Sequence, residues 1–406
     1  MPLLMHQNIQ NLYAIANKPT RKVIGLMSGT SMDGLDIALC EIAGAGTSTE
    51  LKLLNATTVN YNEEAKQNIL SVFSKETVSL EKLCLINPWL GKLHATMILE
   101  TLKAWGIAAA EIDLIASHGQ TIYHAPKSLH PNDAFGSATL QIGEADHIAV
   151  DTGIITISDF RQKHIAAGGE GAPLSVYGDH ILFASKTENR ILLNIGGISN
   201  FTYLPAGADL NTILSSDTGP GNTIMDAYMR THFNQAYDED AAIARKGVVD
   251  QELLKALKAN SFFSLPFPKT VGPELFNLEY LKQAQIQSNT TQLSKEDVLA
   301  TLNLFTAVTI AEAIKQVIGN ALGSNNLHAL YISGGGMHNP LLLEQLTNLL
   351  TGIKVMSLDI LGYQPDAKEA ILFALLANEA VAGEAMQIGG NATKKPITMG
   401  KISFPD

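Results

Sequence analysis

Val23-Ile-Gly-Leu-Met-Ser-Gly-Thr-Ser-Met-Asp-Gly-Leu-Asp-Ile-Ala-Leu-Cys-Glu-Ile42 is two apolar runs on either side of one turn. The runs are rich in aliphatic and β-branched residues, so they predict the two strands of a hairpin. The turn supplies hydroxyls, backbone N–H groups and the carboxylate of Asp33. Its glycines permit close backbone approach, and successive N–H groups can form a nest for an anion such as phosphate. A tight hairpin with no ligand has the same composition, so one such turn decides nothing.

The pattern recurs. Ile191-Leu-Leu-Asn-Ile-Gly-Gly-Ile-Ser-Asn-Phe-Thr-Tyr-Leu204 is again an apolar run, a turn at Gly196 and Gly197, and an apolar run. Each hairpin is followed by a strand that meets a polar glycine turn. These are Asp113-Leu-Ile-Ala-Ser-His-Gly-Gln-Thr121 and Ala329-Leu-Tyr-Ile-Ser-Gly-Gly-Gly-Met337. A repeated order of hairpin, helices, strand and glycine turn predicts two related lobes that clamp a polyphosphate. Lobes that close on a ligand exclude water, which suits phosphoryl transfer.

Length agrees with two lobes, because 406 residues exceed one ordinary core. The net charge of −11 argues against nucleic acid and against an anionic membrane surface. Two cysteines, Cys40 and Cys84, make no disulfide framework, so a reduced, cytoplasmic location is expected. No stretch has the ~18 consecutive apolar residues of a membrane span, and the first twenty residues lack a secretory pattern. They predict a short helical or partly disordered extension.

Strands are expected at 23–42, 51–60, 113–117, 139–142 and 154–158. Helices are expected within 62–110, broken at Asn87-Pro88, and at 144–150, 222–234, 250–259, 294–322, 340–350 and 366–382. Residues 131–138 are a predicted loop, and 166–173 a glycine-rich bend between lobes. Strands alternating with helices mean an α/β fold. The expected division is a first lobe over 1–165, a second over 166–364, and a C-terminal helix within 365–406 that returns to the first.

Several familiar chemistries are absent from the sequence. There is no Gly-x-x-x-x-Gly-Lys-Ser/Thr phosphate loop and no protein-kinase signature. The first glycine turn joins two strands rather than opening a helix, so a dinucleotide fingerprint fails. No nucleophile elbow or zinc-binding His-Glu-x-x-His occurs. His118 and His124 lack a third ligand nearby.

Five groups remain as candidates. Ser216-Asp-Thr-Gly-Pro-Gly-Asn222 places Asp217 at an expected strand end, with Asn222 as a helix cap. Asp217 is either a base for water or a sugar hydroxyl, or a turn aspartate bonded to its own backbone. Ser117-His-Gly-Gln-Thr121 gathers donors and acceptors suited to a sugar, through His118, Gln120 and Thr121. Arg161 is either a fork for a substrate carboxylate or half of a surface or interlobe ion pair. Gly334, Gly335 and Gly336 would let a nucleobase or ribose lie on bare backbone. Glu369 stands in the first turn of an apolar helix, where a carboxylate is favoured whether it caps or faces a cleft.

Together these residues resemble the anhydro-N-acetylmuramic acid kinase family. The matching motifs are Met-Ser-Gly-Thr-Ser-x-Asp-Gly (27–34), Ser-His-Gly-Gln-Thr (117–121), Asp-Phe-Arg (159–161), Ala-Gly-Gly-x-Gly-Ala-Pro-Leu (167–174), Leu-Asn-Ile-Gly-Gly-Ile-Ser-Asn (193–200), Asp-Thr-Gly-Pro-Gly-Asn (217–222), Gly-Gly-Gly (334–336) and Asp-Ala-Lys-Glu-Ala (366–370). The resemblance implies a two-lobed, actin-like ATPase fold of ribonuclease H-like type, with duplicated lobes around a central cleft. It implies ring opening of 1,6-anhydro-N-acetylmuramic acid by water, coupled to phosphorylation of O6 by ATP. Asp217 falls on the family's general base and Glu369 on a carboxylate near substrate. Ser28, Gly29, Thr30, Ser31, Met32, Asp33, Gly34 and Leu35 fall on its ATP loop, with Gly196, Gly197 and the 334–336 glycines also toward nucleotide. His118, Gln120, Thr121, Arg161, Gly169, Asp217 and Asn222 would face the sugar, and Asp33 would serve Mg²⁺. The expected partner is this amino sugar, with no nucleic acid and no membrane, and a homodimer is an allowed assembly.

Four positions depart from the family pattern. Gln162 and Lys163 follow Arg161 where further arginines are usual, Pro273 replaces an arginine, and Glu144 replaces a small amide. The alternatives are another sugar or acetate-type kinase without hydrolysis, and a non-catalytic ATP-dependent sensor.

Overall fold

The computed structural model describes residues 5–29, 32–127, 130, 132–171, 174–207, 212–272, 274–319, 327–362, 367–385 and 395–406. Thr30, Ser31, Pro273 and the start of the 366–370 motif therefore lie outside the described residues. In chain order the elements begin with α1 (Gln7–Ala16), β1 (Thr20–Ser28), β2 (Gly34–Ala43), β3 (Glu50–Asn60), α2 (Glu63–Leu70), α3 (Leu80–Trp105), β4 (Leu114–Ala125), β5 (Ala138–Ile142), α4 (Ala145–Thr152), β6 (Thr156–Ser158), α5 (Phe160–Ala166) and α6 (Ser175–Phe183). They continue with β7 (Glu188–Ile195), β8 (Ile198–Leu204), β9 (Leu214–Pro220), α7 (Thr223–Phe233), α8 (Gln251–Leu257), α9 (Leu278–Ser288), α10 (Lys295–Ile318), β10 (Leu327–Ser333), α11 (Pro340–Leu349), β11 (Lys354–Ser357), α12 (Lys368–Ala382) and β12 (Lys401–Ser403). The chain divides into unit 1, Met1–Leu182 with Asp366–Asp406, and unit 2, Phe183–Pro365.

Unit 1 holds a sheet in the order β12-β6-β4-β1-β2-β3, with β5 added to β4. β1, β2 and β3 form an antiparallel meander, and β4 and β6 run parallel to β1. Every residue of β1 from Val23 to Ser28 is buried, as in a strand covered on both faces. One face is covered by α12 so closely that a Cβ on Gly25 would meet the Ala370 carbonyl. The other faces a core that includes Leu26, Ile37, Leu90 and Ile98.

Unit 2 repeats the plan. Its sheet order is β11-β10-β7-β8-β9, with β7–β8–β9 antiparallel and β10 and β11 parallel to β7. The path β3-β2-β1-β4-β6 thus recurs as β9-β8-β7-β10-β11, which is the ribonuclease H-like arrangement of the actin-like ATPases. α10 is long and apolar enough to cross a membrane by length and composition, but 78% of its apolar window is buried. A helix apolar on all sides belongs inside a core; Leu302, Phe305 and Ile310 supply two clusters of unit 2.

Several expectations need correction. α3 runs unbroken through Pro88. Asn87, just before it, turns outward to the β5–α4 junction. Its side-chain oxygen accepts from Gly143 N at 2.8 Å and its carbonyl from Glu144 N at 3.2 Å, which ties this turn of α3 to the start of α4. β4 continues past Ser117 to Ala125 because a register shift hands its pairing to β5. Asp217 likewise sits inside β9, not at its end. The bend at 166–173 is not a junction between units: it lies in unit 1, which runs on to Leu182 because α6 packs there, Gly178 against Leu372. α9 was not anticipated.

Candidate active site

In unit 1 the first hairpin turn rests on a buried polar chain. Ser28 donates to Gln120 Oε1, and its oxygen lies 2.8 Å from the Tyr61 hydroxyl, which lies 2.7 Å from His94 Nε2. Gln120 Nε2 donates to the carbonyls of Gly29 and Thr121, both at 3.2 Å. Ser28 and Gln120 are 1% and 0% exposed, so their side chains brace the turn instead of presenting donors to a ligand. Burial holds His94 neutral, its pKa pushed down to about 3.

The turn itself offers Gly29, Met32 at φ 54° and the exposed carboxylate of Asp33. Gly34 and Leu35 have other duties. A Cβ on Gly34 would lie 2.3 Å from the Val59 carbonyl, so its glycine is required by β3. Leu35 is a core side chain, 1% exposed.

Arg161 is placed at the start of α5 and held from two sides. Its Nε donates to His118 Nε2 at 2.9 Å and a terminal nitrogen to the Gly171 carbonyl at 2.8 Å. Burial and then Arg161 keep His118 neutral, near 3. The His118 ring packs 4.7 Å from Phe373, so it supports Arg161 from behind. No ion pair among described residues involves Arg161; Asp159 pairs with Lys401 instead. Burial lowers the Arg161 pKa and the charge of Glu369 opposes that, while burial raises Glu369 and Arg161 opposes it. An arginine fork and a buried carboxyl thus influence one another, with Asp36 of β2 adding a like charge on Glu369. Gly169 is glycine because the His164 ring occupies its side-chain position, 2.4 Å away. Thr121 accepts from Gln141 at 3.0 Å.

In unit 2 the second hairpin turn caps a helix. The carbonyl of Gly196 accepts from Asn222 N at 2.8 Å, and that of Gly197 from Gly221 N at 2.8 Å and Thr223 N at 3.1 Å. Backbone therefore does the capping that was expected of the Asn222 side chain, which instead points its Nδ2 at the Ile195 carbonyl, 3.4 Å away. Gly334, at φ 81°, and Gly336 are forced by contact with Asn194 and Ile195. Gly335 is open, with nothing nearer its Cβ position than 3.7 Å. It lines a cavity of about 300 Å³ with Asn222, Asp226, Asn303, His338 and Asn339. Burial pushes the Asp226 carboxyl up to about 6, against the pull of Arg230. Asp226 follows Asn222 by one helical turn, a spacing that the sequence displayed and that marks a shared face.

Asp217 of β9 is held from the loop beside it. Its N donates to Lys269 O at 3.0 Å, and its Oδ2 accepts from Val271 N at 2.8 Å. No described residue bonds its other oxygen. Burial raises its pKa to about 6 despite the Val271 bond. A carboxylate fixed in a strand, ionised near neutrality and with one oxygen uncommitted, can accept a proton. Lys269 beside it was not singled out as a support. Its signal was an isolated lysine in an otherwise aromatic and proline-rich stretch.

A family model described as anhydro-N-acetylmuramic acid kinase matches residues 21–404. The anhydro-N-acetylmuramic acid kinase of Pseudoalteromonas atlantica is 56% identical over 99% of this chain and 100% of its own. That of Caldanaerobacter subterraneus subsp. tengcongensis is 38% identical over 98% and 100%. Among solved structures, the activator of 2-hydroxyisocaproyl-CoA dehydratase from Clostridium difficile covers 89% of this chain and 95% of its own at 11% identity, with a TM-score of 0.40, too slight a likeness to bear on function. With end-to-end identity above one half, and every quoted motif inside the matched span, the chain belongs to the anhydro-N-acetylmuramic acid kinase family.

Proposed function

We propose that the protein is an ATP-dependent kinase that opens 1,6-anhydro-N-acetylmuramic acid with water and phosphorylates O6, releasing N-acetylmuramic acid 6-phosphate and ADP. Family membership supports the reaction, and the observation that carries the mechanism is Asp217. Water bonds to the anomeric carbon as Asp217 takes its proton. The bond from that carbon to O6 breaks, O6 takes the γ-phosphoryl group, and ADP leaves. Arg161, a desolvated guanidinium fork, is assigned to the muramic carboxylate, and the cavity at Gly335 to the nucleoside. Mg²⁺ supplies charge neutralisation on the phosphates. Asp33 fits it as an exposed carboxylate on the turn, because Mg²⁺ keeps its waters and takes one or two carboxylates besides phosphate oxygens. A free small-molecule substrate and a cytoplasmic location go with this reading.

The test is product mass after incubation with ATP, Mg²⁺ and the anhydro-sugar in ¹⁸O-water. One phosphoryl group and one labelled oxygen are expected in the product. ADP release indifferent to the sugar would sink the assignment. Asp217→Asn should lower kcat by ~10²–10⁴-fold with both KM values little changed.

A further inference from the structure

The Asp217 carboxylate is oriented by a loop, and the loop is held by a buried ammonium. Residues 269–271 run beside β9 and exchange hydrogen bonds with it. Lys269 N donates to Ser216 Oγ at 2.9 Å, and Ser216 Oγ in turn lies 3.0 Å from Lys269 O. Asp217 N donates to that same carbonyl, and Val271 N closes on Asp217 Oδ2. This stretch belongs to no helix or strand. Beyond that one main-chain bond from Asp217 N, its position comes from side chains.

Lys269 supplies it. The residue is 8% exposed. Its Nζ donates to the carbonyls of Phe262 and Phe263 at 3.0 and 3.2 Å. It also lies 4.6 Å and 4.8 Å from the ring centres of Phe262 and Phe267. No carboxylate among the described residues pairs with it. A buried cation without a counter-ion is costly, and methionine would fill the same space without that cost. Carbonyl dipoles and two ring faces offset the cost while tying the turn at 261–264 to the loop that orients Asp217.

We infer that Lys269 is a positioning residue for the base, acting through the 269–271 backbone and not through its own charge. The inference rests on Asp217 being the base. Loss of the Lys269 clasp frees Val271 N from the carboxylate, and each such N–H bond favours the ionised form.

The experiment is the pH profile of kcat and kcat/KM for Lys269→Met and, separately, Ser216→Ala, which loosens the same loop without altering the ammonium. In both, the acid limb should move up by about one pH unit. At pH 7 that shift alone should lower kcat about twofold, with both KM values within about twofold. Lys269→Arg should recover part of the loss. A limb that stays in place while thermal stability falls would make Lys269 merely structural. If Lys269→Met does not fold, Ser216→Ala decides alone. An Asp217→Asn protein within a few-fold of wild-type turnover would overturn the base assignment and this inference together. An inactive Asp217→Asn with unmoved limbs in the other variants would overturn this inference only.

Discussion

Asp217 carries two opposing demands. A base must be ionised where the enzyme works, yet the strand interior penalises its charge and lifts its pKa from 3.8 to about 6. Activity needs the ionised form, so kcat/KM should rise with pH through a limb centred near 6. Asp226 titrates in the same range, and the limb should survive in Asp226→Asn if it belongs to Asp217. Stability runs the other way. A carboxyl whose folded pKa is raised binds its proton more tightly in the folded state. It therefore costs nothing below about 4, where both states are protonated, and costs most above about 6. The lift corresponds to roughly 3 kcal/mol at high pH. Asp217→Asn keeps an acceptor for Val271 N and removes the charge. It should melt above wild type at pH 8, with the gain fading as pH falls toward 4. A lower melting temperature at pH 8 would show that burial is not what holds the carboxyl up.

Glycines that look alike in the sequence serve different ends in the elements. The turn residues 28–35 read as one loop of ligand-facing backbone. Within it Gly34 belongs to the β2–β3 ladder, paired with Asn60, and has no room for a methyl group. Overpacking of this kind costs about 1–3 kcal/mol and more against rigid backbone. Gly34→Val should therefore lose folded protein, not only nucleotide affinity, as circular dichroism and melting would report. Gly335→Ala should fold normally and raise the KM for ATP, because only the cavity lies beyond its Cβ position. The two hairpins were legible because short continuous apolar runs on either side of a Gly/Ser turn read as paired strands. The polar tails of β4 and β9 were not. Ser117–Thr121 and Ser216–Pro220 have the composition of loops, and their ladder partners, β1, β6 and β5 for the first and β8 for the second, keep them in strands. Of the site, Asp217, Arg161 and Glu369 could be named from motif chemistry. The supports could not: Lys269 beneath Asp217, and Tyr61 and His94 beneath the first hairpin turn, act through contacts distant in sequence.

At the scale of the molecule, duplication was visible as a repeated order of motifs, and the two sheets repeat one strand path. The place of division was less visible. A glycine-rich bend at 166–173 has the composition of a linker, but Tyr177 and Gly178 of α6 bury themselves in unit 1 beyond it. Unit 2 is one uninterrupted stretch, whereas unit 1 is made of two, and its last helix is not an accessory. α12 is buried from Ala370 to Glu379 and covers β1 along Gly25. Without it, a strand buried from Val23 to Ser28 would expose one apolar face, and the buried Arg21 would lose its bond to Asn378 at 2.6 Å. Burying such surface contributes about 25 cal/mol per Å², so uncovering about 200 Å² costs about 5 kcal/mol, the low end of an ordinary domain's net stability. A chain ending at residue 365 should therefore lack a cooperatively folded unit 1 and expose 23–28 to protease. A fragment of residues 183–365, with its own sheet and two apolar clusters, should melt cooperatively by itself. Limited proteolysis and calorimetry of the two fragments separate the cases. A protease-resistant β1 in the 1–365 chain would show that α12 is dispensable to the fold.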